Sequence, residues 1–193
     1  MNQKTALDFL INRRSCGRLV EPSPNAEQLE LMFRAASRGA DHASLVPWRF
    51  IVLEGDDRAV LGDAMLASAI ADNPQLELVR QEKIKAKPFR APMVVIAISK
   101  NLEHPKVPFW EQELATAAAV QNMINAAYIL GQGAYWRTGS AAFSDIVKQA
   151  LEVESQEAII GFVYLGAPKS DLPAPKSTDD WKQSVKFGFN NKT

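Results

Sequence analysis

The chain has 193 residues, a little over one typical domain of about 150, so a single compact domain is expected. Lys+Arg and Asp+Glu number 22 each, and the zero net charge excludes nucleic-acid binding by bulk phosphate attraction and weakens any polybasic membrane role. Hydrophobic residues at 47% and charged residues at 23% exclude a disordered chain.

In chain order, Leu7, Leu10 and Ile11 recur at helical spacing and predict a short amphipathic helix over residues 4–14, stopping at Asn12-Arg13-Arg14-Ser15 and Gly17. Asp8 interrupts its apolar stretch and no cleavage-type ending follows, so it does not read as a signal peptide. Pro22 and Pro24 make a rigid connector. Asn25 reads as an N-cap with Gln28 as its capping-box partner, and Leu29, Met32, Phe33 and Ala36 then share one face of a helix closed by Gly39. Trp48–Leu53 is short, aromatic and β-branched, which predicts a strand. Residues 57–70 and 75–86 read as two less regular helices parted by Asn73-Pro74.

Met93–Ile98 is a continuous apolar run, as in a strand buried on both faces. Residues 109–130 form the strongest helix, with Glu111 and Glu113 near the end where the dipole favours anions. Its remainder has almost no polar face, which predicts a buried central helix shared with a partner subunit. No stretch of about 20 apolar residues lacks charge, so no membrane span and a cytoplasmic location are expected. Strands are predicted at 134–136 and 158–165, with a helix at 143–151 between them. Val185–Phe189 alternates like a strand, but Pro173 and Pro175 set it apart. The reading is one α+β domain over residues 1–168 with an arm over 169–193.

Few residue clusters suggest chemistry. Gly131-Gln132-Gly133 follows a helix and precedes a strand, the reverse of a dinucleotide-binding turn. Asp41, His42 and Ser44 lie close in sequence, but no nucleophile elbow accompanies them. Cys16 is the only cysteine, so no internal disulfide forms, and with two histidines no Cys/His zinc cluster is available. Its neighbours Arg14 and Arg18 would favour a thiolate, but a thiol packed at a helix end is the favoured reading. Arg13, Arg14 and Arg18 read equally well as cations at a helix C-terminus or, with Ser15, as a phosphate receptor. Arg34 and Arg38 lie one turn apart, with His42 beyond.

Taken together, these segments resemble the flavin-dependent nitroreductase family, particularly its small bacterial members. The resemblance rests on Ile11-Asn12-Arg13-Arg14-Ser15, Arg18-Leu19 with Glu21-Pro22, Arg34–Arg38 with Asp41-His42, and Pro47-Trp48. It continues through Phe89-Arg90-Ala91-Pro92, Val107–Glu113, Trp136-Arg137-Thr138-Gly139 and Ile160–Gly166, spanning Leu7 to Pro168. It implies a central, mostly antiparallel sheet flanked by helices, and a homodimer whose subunits exchange a C-terminal arm and bind FMN between them. It also implies ping-pong hydride transfer from NADH or NADPH to FMN and on to a nitro compound or another small electron acceptor. The resemblance implies that Arg13, Arg14, Ser15, Arg38, His42, Trp136, Arg137 and Thr138 bind FMN. It assigns Ala126, Ala127, Tyr128, Ile129, Leu130 and Gly131 to the nicotinamide. Val46 stands where many members carry Gln, and Gly17 where larger ones carry Lys, which leaves open the cation that faces flavin N1. The alternatives are a flavin-binding module without turnover and a relative that fragments flavin or removes halogen.

Overall fold

The structure, a computed structural model, describes residues 3–170 and 179–188. Its elements are α1 (Gln3–Asn12), β1 (Leu19–Val20), α2 (Ala26–Ala36), β2 (Trp48–Glu54), α3 (Arg58–Asp72), α4 (Leu78–Lys85), β3 (Met93–Ser99), α5 (Phe109–Ile129), β4 (Gly133–Arg137), α6 (Asp145–Ala150) and β5 (Ala158–Pro168). Among the described residues no helix is long and apolar enough to cross a membrane.

The strands form one antiparallel sheet in the order β1-β5-β3-β2, with β4 also paired to β5. All seven residues of β3 are buried, as its unbroken apolar run predicts. Alternation then sorts side chains to two faces. Met93, Val95 and Ala97 pack with Met32, Ala119, Val120 and Met123 beneath α2 and α5. Val94, Ile96 and Ile98 pack with Leu61, Val147 and Phe162 beneath α3 and α6. Gly39 lets the end of α2 approach α5, since a Cβ there would stand 3.0 Å from the Ala119 nitrogen.

The capping box forms as expected: Asn25 Oδ1 accepts from Gln28 N at 2.9 Å and Gln28 Oε1 accepts from Asn25 N at 3.0 Å. Three further points concern the expected elements. The two-residue strand β1 was not anticipated. Helix α5 is not covered all round: it buries Ala115, Ala119, Met123 and Ala127, but leaves Trp110, Leu114 and Ile129 exposed in the single chain. The strand expected over 185–189, which the resemblance implies against a partner subunit, does not form in its described part within the single chain. There a 3-10 turn (Asp179–Ser184) precedes residues 185–188, which belong to no strand and expose Phe187. A strand needs a neighbour for its backbone groups, and period-two alternation does not supply one. Residue 189, like 171–178, lies outside the described residues.

Candidate active site

After α1 the chain turns, and the Cys16 amide donates to the Ala134 carbonyl at 2.9 Å. This bond lays Arg13, Arg14 and Ser15 beside the first residues of β4, while β4 ends in Trp136 and Arg137 and runs into Thr138. Arg13 and Arg14 are half-buried and Ser15 is exposed. Beneath them the Cys16 thiol is buried and donates to the Arg18 carbonyl at 3.4 Å. That is the packing reading of this residue.

Tyr135 and Arg137 share one face of β4, and the Arg137 guanidinium carbon lies 4.0 Å above the Tyr135 ring centroid and 5.5 Å from that of Tyr164. Together with Lys87, Arg90 and Ser140 they line a cleft of about 460 Å³. Three cations face this space and no carboxylate does. No ion pair among the described residues joins any of the three to an acid. The Arg137 Nε is buried without a hydrogen-bond partner. Burial pushes the Tyr164 phenol up from its ordinary value, although the Arg137 and Arg90 charges pull the other way. In a chain of zero net charge, such a cluster is suited to an anionic or electron-rich ligand. Trp136 also borders the cleft, and its Nε1 donates to the Ile160 carbonyl at 3.3 Å.

The second group of expected residues lies beyond α2. The Arg38 amide closes the helix end on the Ala35 carbonyl at 3.0 Å, and Arg38 is exposed. His42 opens a 3-10 turn, with Nδ1 2.8 Å from Glu111 Oε2 at the start of α5. Asp41 instead accepts from the Val46 amide at 2.7 Å, so the Asp41-His42-Ser44 cluster is a loop brace and not a triad. No hydrogen bond or ion pair among the described residues joins Arg38 or His42 to Arg13–Ser15 or Trp136–Thr138. Of the eight residues assigned to FMN, Arg38 and His42 follow α2, whereas Arg13–Ser15 follow α1 and Trp136–Thr138 close β4.

The nicotinamide segment offers less than its sequence suggests. Ala127 is wholly buried, so its side chain meets only the core. The Tyr128 ring stands edge-on to Phe9, with centroids 6.3 Å apart. The carbonyls of Ala126, Ala127 and Tyr128 accept from Leu130, Gln132 and Gly131. Only Ile129 and Gly131 are exposed there.

Residue type and spacing alone give Lys87, Arg90 and Glu111 no role at the site. Lys87 and Arg90 flank Pro88 and Phe89 in a 3-10 turn leading into β3, and this pair of cations three residues apart was the available signal. Nothing in the sequence pairs Glu111 with His42. Among the described residues, no group of three or more His, Cys, Asp or Glu could hold a metal ion.

The nitroreductase family model matches residues 10–167. The chain belongs to the nitroreductase family. Among members of that family, the Escherichia coli (strain K12) protein named "Putative NAD(P)H nitroreductase YdjA" is 42% identical over 164 residues, covering 85% of this chain and 88% of that one. In fold, this nitroreductase-family chain is similar to a nitroreductase-like family protein from Bacillus cereus, with TM-score 0.82, 18% identity, and coverage of 98% and 99% of the two chains. It is also similar to an FMN-dependent nitroreductase from Clostridium difficile R20291, with TM-score 0.68, 20% identity, and coverage of 96% and 99%.

Proposed function

We propose that this chain is an FMN-dependent NAD(P)H oxidoreductase that passes electrons to nitro compounds or other small acceptors. The observation that carries the reading is the cationic edge of β4. The Cys16–Ala134 bond lays Arg13–Ser15 beside the start of β4, and towards that strand's other end Lys87, Arg90 and Arg137 line a cleft free of carboxylates. The residues present fit FMN: a phosphate needs guanidinium and hydroxyl donors, and the buried, unpartnered Arg137 Nε marks a donor still seeking an acceptor.

When bound, the flavin supplies the hydride chemistry, so no protein nucleophile is required. The chain's residues bind and polarise. Arg13, Arg14 and Ser15 would hold the phosphate through charge-assisted hydrogen bonds. Lys87, Arg90 and Arg137 would favour the negative charge that reduction places on the ring. Tyr135 and Tyr164 keep the Arg137 guanidinium in place by cation–π contact. Ile129 and Gly131 are the positions that the end of α5 leaves exposed to a nicotinamide.

The partner in this reading is a second copy. Trp110, Leu114 and Ile129 on α5, with Leu7, Leu10 and Ile11 on α1, leave two apolar faces uncovered. Pairing such faces would let one subunit's Arg38 and His42 complete the site begun by the other's Arg13–Ser15 and Trp136–Thr138. The arm beyond residue 168 would cross to the partner and add an edge strand. A cytoplasmic location goes with these cofactors.

The protein should purify yellow and oxidise NADH or NADPH in the presence of a nitroaromatic acceptor. A flavin-binding module without turnover would be yellow and inert. Arg13→Ala and Ser15→Ala should each weaken FMN binding by roughly 1.5–3 kcal/mol, about one to two decades, in a fluorescence titration. Unchanged affinity in both variants would place the phosphate elsewhere.

A further inference from the structure

We infer that Glu111 is a positioning residue for His42, fixing the imidazole so that Nε2 alone is offered to the flavin cofactor. The inference rests on the reading of His42 as a cofactor contact. His42 Nδ1 and Glu111 Oε2 are 2.8 Å apart, and an ionised carboxylate only accepts, so Nδ1 carries the hydrogen of this bond. Nδ1–H is then committed to Glu111 in both protonation states of the ring. Neutral His42 presents Nε2 as an acceptor, and protonated His42 presents it as a donor. A third group that orients a functional histidine in this way sets its tautomer.

The surroundings support an orienting role. The two residues come from different elements, 69 positions apart, so the bond is not a local helix pair. Glu111 sits in the first turn of α5, where its amide donates to the Pro108 carbonyl at 3.1 Å and the helix dipole favours its charge. The acid is the more sheltered partner, with 31% of its side chain exposed against 58% for His42, so the imidazole keeps an open edge. The neighbouring acid, Asp41, is occupied by the Val46 amide. Ala43, Ser44 and Val46 hold φ of 62°, 53° and 49°, conformations unfavourable to residues other than glycine, so the loop carrying His42 needs ties to neighbouring elements.

The chain has two histidines, so nitrogen-15 spectra of a His104→Gln background follow His42 alone. At about pH 8, Nδ1 should carry the proton in this background and in Glu111→Gln, whose amide oxygen still accepts, whereas Glu111→Ala should lose that tautomer. FMN affinity of the apoprotein, read by flavin fluorescence, should fall about tenfold in Glu111→Ala and stay near wild type in Glu111→Gln. Thermal melting confirms that each variant folds, and Glu111→Leu, which suits a helix, carries the same expectations should Glu111→Ala not fold. A folded Glu111→Ala or Glu111→Leu protein that keeps the wild-type tautomer, or loses it with FMN affinity unchanged, overturns the role of Glu111. If His42→Ala binds FMN like wild type, the cofactor reading of His42 falls and the positioning role with it. If His42→Ala loses FMN but the Glu111 variants do not, the positioning role alone falls.

Discussion

Gly161 is where the sheet allows the candidate site to form, and replacing it should disturb both. It lies in β5 opposite Ala97, at the register shift between β3 and β5, with φ of 154°. A Cβ there would collide with the Trp136 indole nitrogen and stand 2.7 Å from the Arg137 carbonyl oxygen. The first contact is a side chain that can move; the second is backbone that cannot move without taking β4 along. Holding alanine at this φ costs about 2 kcal/mol, and forcing a methyl group into a filled space costs about 2 kcal/mol more. Together these predict a loss of about 4 kcal/mol, which for a domain this size lowers Tm by about 8–16 °C. Displacing Trp136 and Arg137 should also weaken FMN binding in the same protein. Differential scanning calorimetry and a flavin titration of Gly161→Ala measure the two effects. A variant that melts within about 2 °C of wild type and binds FMN equally well would refute the packing argument.

Glu157 is held below the ordinary carboxylate range chiefly by its hydrogen bonds from Arg49, with burial opposing. The unfolded chain therefore takes up this proton at a higher pH than the folded one, and the ion pair's stabilisation is present above about pH 4.3 and lost as pH falls through the lower folded value. Glu157→Gln should cost about 3 kcal/mol at neutral pH and show a shallower acid decline of Tm than wild type; parallel declines would count against the pairing. Cys16→Ala should leave FMN affinity and NAD(P)H oxidation intact, because the thiol faces the core, and a folded but inactive variant would restore thiol chemistry as an option. Truncation after Pro175 should dissociate the dimer at low concentration or release FMN, followed by sedimentation and absorbance. A truncated protein that stays dimeric and yellow removes the exchanged arm.

What the sequence made legible followed strong periodicity. The unbroken apolar run at 93–98, the 158–165 strand and the long helix after Pro108 needed no tertiary information beyond burial. β1 was invisible because two residues carry no period, and Leu19–Val20 is a strand only because Ala167 and Pro168 lie beside it. The alternating tail shows the converse: it has a pattern, but the neighbour that the family resemblance implies for it belongs to a second subunit. The site divided in the same way. Arg13–Ser15 and Trp136–Thr138 stood out by residue type, whereas the link between their segments is one backbone bond, from Cys16 to Ala134. Lys87 and Arg90 gain meaning from the cleft they share with Arg137, and Glu111 looked like an ordinary acid at a helix start until His42 was placed against it.

The strand β5 is bonded along both edges, and its last residues are the ones that hold β1. During synthesis the cations at positions 13 and 14 emerge first, yet the segment behind them cannot dock until β4 and then Pro168 have been made. Closing so long a loop is slow. Meanwhile Leu7, Leu10 and Ile11 of the first helix stay in water and available to other nascent chains. Docking of the segment behind Arg13 and Arg14 therefore waits for nearly the whole domain, and misassociation during production should begin at the amino-terminal helix.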